Sequence, residues 1–447
     1  MLRQLTAFPR HGLRRLLSRY GVPLSVAVAV ACLAALGGSW GTALGQTVPT
    51  PPPPPLPGGA QLLGSPSGGT IPPEGGTLGT PNPNMDVTLP GGTGGSTNLT
   101  FTPVDPNSLG GSLGSDYQLA GFQFGDGALL IGGLPGLFAV GHPAPSGYSQ
   151  AAAVQVVPLG QQSGFAVPLV LTYRPPQTDL QRAGGDITRV VPALWTGKGW
   201  LGLPSSVDAA SNKITTTVAR SGLVAIVIRP ADVKAVEAPL SNGAFFTAAN
   251  GFGGAGGTGY SVTDDNDAAF WSGFQRMGGV DRIGYPISGR FMHGGFATQA
   301  FQKLALQWRP ELQAAVPVNV FDDLNQRGVD GWLDTFRQVP QAADTSEDSG
   351  LAWDAVQARH LANLDPYPAL LAAYLNDPNW LEDYGLPLSV KQYGPVVGAR
   401  LQRATLQLWT VDVPWAAAGT VVVGNGGDLA KEAGLWPIDA LLPQPQR

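Results

Sequence analysis

Cysteine is nearly missing from this chain. Cys32 is the one thiol in 447 residues, so no intrachain disulfide can form and the fold has to be held by packing alone. Charge is sparse too: Asp, Glu, Lys and Arg make up 13% of the chain, and residues 46–116 contain no Lys or Arg. With a net charge of −5 and no basic patch, the chain lacks the electrostatic footprint of a nucleic-acid binder. Histidine is equally scarce. His142, His293 and His360 stand beside neither a serine elbow nor an acid at a catalytic spacing. No cofactor fingerprint, metal-ligand set or catalytic residue is legible.

What is present starts with a basic, acid-free opening. Met1 to Arg19 carries Arg3, Arg10, Arg14, Arg15 and Arg19, Gly21 to Gly38 is apolar, and Ala43-Leu44-Gly45 places small residues at a cleavage point. That order is the order of a secretory signal peptide over residues 1–45. Two other readings of the same stretch are an uncleaved anchor and lipidation at Cys32, where Ala29-Val30-Ala31-Cys32 loosely follows a lipobox. Membrane contact is expected only through this segment. Cleavage would remove five arginines and no acid, making the remainder still more negative.

Glycine and proline are abundant, at 62 and 41 residues, and concentrated before residue 150. Residues 46–116, opening on Pro51 to Pro55, read as a disordered Pro/Gly/Ser/Thr-rich spacer that holds the folded part away from a surface. From 117 to 240 short aliphatic runs alternate with turn residues, the pattern of an all-β sandwich. Its clearest strand is Phe165 to Tyr173, with Phe165, Val167, Leu169, Leu171 and Tyr173 on one face. Val190 to Trp195 and Trp200 to Leu203 flank Thr196-Gly197-Lys198-Gly199 as a hairpin, and strands are expected at Lys213 to Val218 and Leu223 to Ile228. Residues 241–260 read as a Gly-rich linker.

Residues 261–447 contain an internal repeat. Ile283-Gly284-Tyr285-Pro286-Ile287-Ser288, then Phe301-Gln302-Lys303 and Leu306-Gln307-Trp308, is answered by Tyr384-Gly385-Leu386-Pro387-Leu388-Ser389, Leu401-Gln402-Arg403 and Leu406-Gln407-Leu408-Trp409. Asp267 reads as the N-cap of a helix with Phe270, Phe274 and Met277 on one face. A helical insertion is expected near 333–382, with Trp353, Val356, His360 and Leu361 on one stripe. The fold class is thus multidomain: a disordered tail, an all-β sandwich, and a duplicated α+β repeat domain.

Three resemblances follow from these residues. Pro168 to Tyr173, the run Trp200 to Val207 with Asp208, and Val218 to Ile226 resemble a β-sandwich module of bacterial surface proteins akin to the ZU5 group. The two Gly-x-Pro elements resemble the LGFP-type repeats of secreted bacterial cell-wall proteins. Phe321 to Leu324, Asp334 to Pro340 and Pro414 to Gly419 are similar to an uncharacterised C-terminal region of exported proteins from filamentous bacteria. These likenesses imply a spacer or adhesive module and envelope association, with no assigned chemistry.

Sharper motifs have plainer readings. Asp323-x-Asn325-x-Arg327-Gly328 overlays an EF-hand loop, but Arg327 brings a cation where an oxygen ligand is needed, so Gly328 reads as a helix C-cap. Adjacent acids in Asp322/Asp323 and Glu382/Asp383 point apart and form no hydrolytic dyad by themselves. Gly424-Asn425-Gly426-Gly427 lacks the Lys-Ser/Thr of a phosphate loop and reads as a turn. The expected role is therefore non-catalytic, secreted or surface-tethered attachment to the envelope or to a cell-wall polysaccharide. A hydrolase with an unfamiliar site is the alternative. The candidate ligand residues are Tyr285, Tyr384, Trp308 and Trp409, with the tyrosines expected to face solvent and the tryptophans to pack inward.

Overall fold

The computed structural model describes residues 55–91, 96–113, 119, 121–133 and 164–446. The signal segment, Cys32, His142 and the start of the spacer lie outside them. The described residues all belong to one unit, Pro51–Arg447, and they are rich in antiparallel sheet.

The strands β1 (Ser67–Ile71), β2 (Gly75–Gly79), β3 (Met85–Pro90), β4 (Thr97–Pro103), β5 (Gln123–Gly133), β6 (Gly164–Tyr173), β7 (Val190–Trp195), β8 (Trp200–Gly202), β9 (Ser205–Asp208), β10 (Lys213–Arg220) and β11 (Gly222–Ile228) build two sheets. One has the order β1-β4-β5-β11-β7-β8 and the other β2-β3-β6-β10-β9. Their apolar faces share a core that includes Val87, Leu129, Leu169, Tyr173, Val224 and Ile226. The alternation read in β6 holds, with Leu169, Leu171 and Tyr173 buried and Val170 and Thr172 partly exposed. The hairpin is also as expected: Trp195 pairs with Trp200, and Gly197 supplies the positive φ.

The spacer reading of 46–116 is corrected from residue 67 onward. β1 to β4 lie inside it and complete both sheets. A period of two was hidden by the Gly, Pro and Thr around it: Met85, Val87 and Leu89 in β3 and Leu99 and Phe101 in β4 are all buried. Each such side chain gains roughly 1.5–3 kcal/mol over leaving it in water, enough to order a stretch whose bulk composition looks disordered. A second apolar layer, with Leu109, Phe122, Trp200 and Phe252, covers the other face of the six-stranded sheet.

The linker reading of 241–260 is corrected as well. β12 (Glu237–Leu240), β13 (Gly243–Phe246) and β14 (Thr258–Thr263) form a meander, and the loop between the last two is ordered by one side chain. Asn250, fully buried, donates through Nδ2 to the carbonyls of Ala255 and Thr258 and accepts at Oδ1 from the N–H groups of Phe252 and Gly254.

Two four-stranded meanders follow: β15 (Phe291–His293), β16 (Phe296–Ala300), β17 (Ala305–Arg309) and β18 (Ala314–Pro317), then β19 (Pro387–Tyr393), β20 (Val396–Leu401), β21 (Thr405–Trp409) and β22 (Val421–Val423). Each is preceded by a five-residue helix, Gly279–Ile283 and Trp380–Tyr384, ending on Gly284 (φ 80, ψ 176) and Gly385 (φ 72, ψ −175). Gln302 Oε1 accepts the N–H of Tyr285 at 3.0 Å, and Gln402 Oε1 accepts that of Leu386 at 3.0 Å. Each meander leads into a seven-residue helix, Val320–Gln326 or Gly426–Glu432. The helices cross over: Phe321 N–H donates to the carbonyl of Gln402 at 3.1 Å, and Asp428 N–H to that of Gln302 at 3.0 Å.

Between the meanders lie the helices Asp330–Arg337, Trp353–Leu361 and Pro368–Leu375. Two details of the helical reading change. The stripe Phe270, Phe274 and Met277 is buried, but the helix Phe270–Arg276 has Ala269 at its N-cap, and it is Asp264, not Asp267, whose carboxylate accepts the N–H of Ser272. Trp353 leaves its stripe and is 55% exposed. At the C-terminus β23 (Gln444–Pro445) pairs with β14, and the buried Tyr260 hydroxyl donates to the carbonyl of Leu441 at 2.6 Å. Ile287, Phe321, Trp332, Leu429 and Trp436 continue the core of the sandwich without a break.

Candidate functional site: a cleft between sandwich and second meander

The register of the meanders decides which aromatic residues are equivalent. Gln307 pairs with Thr298 in the first meander and Gln407 with Gly398 in the second; Trp308 and Leu408 come next, opposite Ala315 and Val421. Trp308 therefore corresponds to Leu408, and both pack partly buried against one core. Trp409 lies one residue further along its strand and faces the other way. The tyrosines are likewise displaced. Tyr285 follows its glycine, whereas Tyr384 precedes Gly385 and holds the place of buried Ile283.

The expected exposure is corrected for Tyr384. Tyr384 is buried, lies 6.2 Å from the ring of Tyr374, and accepts a hydrogen bond from Arg282 Nη2 at 3.2 Å. Tyr285 is half-buried, edge-on to Phe246 at 6.0 Å. Of the four candidate residues, Trp409 alone lines a large cleft; Tyr384 is part of the core of the meanders, and Tyr285 and Trp308 pack partly buried against that core.

That cleft has a volume of about 680 Å³ and runs between the sandwich, the loop at 248–253 and the second meander. Thr405, Gln407 and Trp409, alternate residues of β21, project into it together with Val422 of β22. Beyond them stands Trp415, 69% exposed, its ring centre 5.5 Å from that of Trp409 and nearly perpendicular at 84°. Trp415 is held at a tight turn, in which Val413 N–H donates to the Ala416 carbonyl at 2.8 Å. Trp409 Nε1 is buried without a hydrogen-bond partner among the described residues. Gln407 also differs from its counterpart: Gln307 spends its amide on the His293 carbonyl at 2.8 Å, while Gln407 faces the cleft.

The floor is charged. Asp428, Lys431 and Glu432 sit at i, i+3 and i+4 of the helix Gly426–Glu432 and therefore share a face. Burial pushes the Asp428 carboxyl up to about 7, against the opposing pull of Lys431. Burial also raises Glu432, which Arg337 Nε holds at 2.7 Å. Lys431 is 7% exposed and its ammonium makes no hydrogen bond to a described residue; burial lowers its pKa while Asp428 and Glu432 act the other way. Arg229 stands at the opposite rim, donating to the Thr188 carbonyl at 3.3 Å.

No family model matches this chain, and no curated protein matches it.

The remaining motifs resolve into structure. Asp323 and Asn325 lie within the helix Val320–Gln326, whose end is marked by Gly328 at φ 78, and Asp323 bonds His293 Nε2 at 2.9 Å. Among the described residues no group of three His, Cys, Asp or Glu is arranged to hold a metal. Asp322 turns to Asn319 at 3.1 Å and is pushed up to about 6 by burial. Asp383 lies inside beside Arg282 and Asp377 while Glu382 is exposed. His360 is a buried structural residue, bridging the Pro387 carbonyl and Asp348 at 2.8 Å each. At Gly427 a Cβ would lie 1.8 Å from the Phe301 carbonyl oxygen, so the glycine loop serves close packing. The cleft was missed because its parts come from distant segments. The one local signal was the alternation Thr405, Gln407, Trp409.

Proposed function

We propose that this protein is an exported, non-catalytic envelope component that binds a cell-wall or surface polysaccharide in the cleft. The observation that carries the reading is the pair Trp409 and Trp415, two indole rings at right angles beside Gln407, Asn425 and Asp428. Sugar rings offer apolar C–H faces and a hydroxyl edge, so they suit sites combining aromatic platforms with a few polar side chains. We also propose that the two meanders are copies of one α+β unit. Their glycine-proline turns, glutamine brackets and following helices support this, and the LGFP-like and ZU5-like resemblances accord with envelope attachment and export.

A second reading, a polysaccharide hydrolase, draws on one observation: two carboxyls raised by burial, Asp428 and Glu432, line the same cleft. Glu432 is, however, engaged by Arg337. The test is co-sedimentation with purified cell wall, run beside assays for released reducing sugar. Retention that Trp415→Ala weakens at least tenfold, with no sugar released, supports binding. Release of sugar that Asp428→Asn abolishes would replace binding by hydrolysis, and a parent chain that neither sediments nor releases sugar would overturn both.

A further inference from the structure

We infer that Arg220 and Arg327 form a site for a small dianionic oxyanion, phosphate or sulfate, where the sandwich meets the end of the helix Gly426–Glu432. Arg220 closes β10 and Arg327 caps the helix Val320–Gln326, so the two come from different parts of the fold. Their side chains converge over Gly434. From the point a Cβ would occupy there, Arg327 Nη2 is 3.4 Å away and Arg220 Nη2 3.7 Å. Gly434 has φ 70, and a Cβ would also meet that of Ala219 at 2.8 Å, so position 434 adds no side chain to the approach.

Among the described residues neither guanidinium has an acidic partner. Arg220 reaches only the Trp436 carbonyl, at 3.5 Å, the outer limit of a hydrogen bond. Arg327 Nε is buried with no partner. The acid one turn earlier, Asp323, is taken by His293. The fully buried Arg400, by contrast, has Asp330 Oδ1 at 2.9 Å. Two adjacent cations withdrawn from water without a counter-charge repel one another and carry a desolvation cost. The strain registers at Arg220, which burial and then the charge of Arg327 bring down to about 10. A tetrahedral dianion supplies the missing charge, and guanidinium N–H groups match its oxygens. Bound there, it would also tie β10 to the helix Val320–Gln326.

The experiment is thermal unfolding of the full chain in chloride buffer of constant ionic strength, titrated with inorganic phosphate, sulfate or phenyl phosphate. The parent should show a saturable rise in Tm of roughly 3–5 °C at a hundredfold excess over Kd. A rise with the inorganic ions alone marks a free ion as ligand; a rise with phenyl phosphate too marks a phosphate carried on a larger molecule. Either supports the site. Arg327→Gln should abolish the rise, yet in chloride alone unfold no lower than the parent, because the repulsion is gone; a purely structural arginine would instead lower Tm. Arg327→Lys keeps the charge without the fork and should bind at least tenfold more weakly, which covers the case in which Arg327→Gln fails to fold. No rise in the parent beyond that given by chloride, or an equal rise in both variants, would overturn the site.

Discussion

Trp409 and Trp415 meet edge to face, 5.5 Å between ring centres and 84° between planes. The contact joins the end of β21 to the tip of the following turn and gives the cleft two perpendicular apolar walls.

Trp415 is 69% exposed, so its removal empties no core. Trp415→Ala should shift stability by less than about 0.5 kcal/mol while weakening polysaccharide retention at least tenfold. Calorimetry beside co-sedimentation checks both, and a variant that is retained as well as the parent removes the aromatic wall from the binding site.

Gly284 and Gly385 hold φ 80 and 72 with ψ near 180, a region essentially closed to residues with a Cβ. In each case a Cβ would also stand 2.7 Å from that of the bracketing glutamine, Gln302 or Gln402. Gly284→Ala and Gly385→Ala should each cost roughly 2–4 kcal/mol in denaturant unfolding. Equal costs follow if the two turns are copies; a loss below 1 kcal/mol at either would show that this turn relaxes freely.

Asp428 is raised by burial to about 7, above the ordinary carboxyl value of 3.8. Between these values the folded chain holds a proton that the unfolded chain has released. The stabilisation is full below about pH 4 and lost as pH rises through 7. Asp428→Asn should therefore flatten the decline of stability between about pH 4 and 7 and exceed the parent at pH 8 by roughly 1–2 kcal/mol. A reduced slope between pH 4 and 6 should remain, since Asp322 and Asp383, both raised to about 6 by burial, also contribute there. Stability curves of parent and variant that run parallel from pH 4 to 7 would refute the assignment.

Arg337 and Glu432 pair at 2.7 Å with the carboxylate side chain only 12% exposed. Arg337→Ala leaves that carboxylate buried alone and should cost about 3 kcal/mol, whereas the double change with Glu432→Ala should recover at least half of it. A double-mutant cycle with no coupling would mean that the pair is incidental.

Period-two alternation was legible in β6, and the helical stripe in Phe270, Phe274 and Met277, because each pattern is written along consecutive residues and needs no partner to be read. The same signal stood in Met85, Val87 and Leu89, where proline and glycine on either side masked it. The repeated glycine-proline turns were legible for a similar reason: a glycine before a constrained residue declares a local backbone conformation. Pairing Trp308 with Trp409 failed because one extra residue, Leu408, separates the motifs. In a strand one residue is half a period, enough to carry a ring from the core face to the cleft face.

The amino-acid order by itself determined the strands and turns whose information is local: the alternating faces of β6, the hairpin around Gly197, the stop at Gly328 and the two matched turns at Gly284 and Gly385. Only the tertiary structure decided that residues 67–103 belong to the sandwich, that Tyr384 is buried, that Asp428, Lys431 and Glu432 look across a cleft at Trp409, and that Arg220 meets Arg327. Those are contacts between residues far apart in the chain, fixed by which faces the sheets bury against one another, and no spacing within a single segment encodes them.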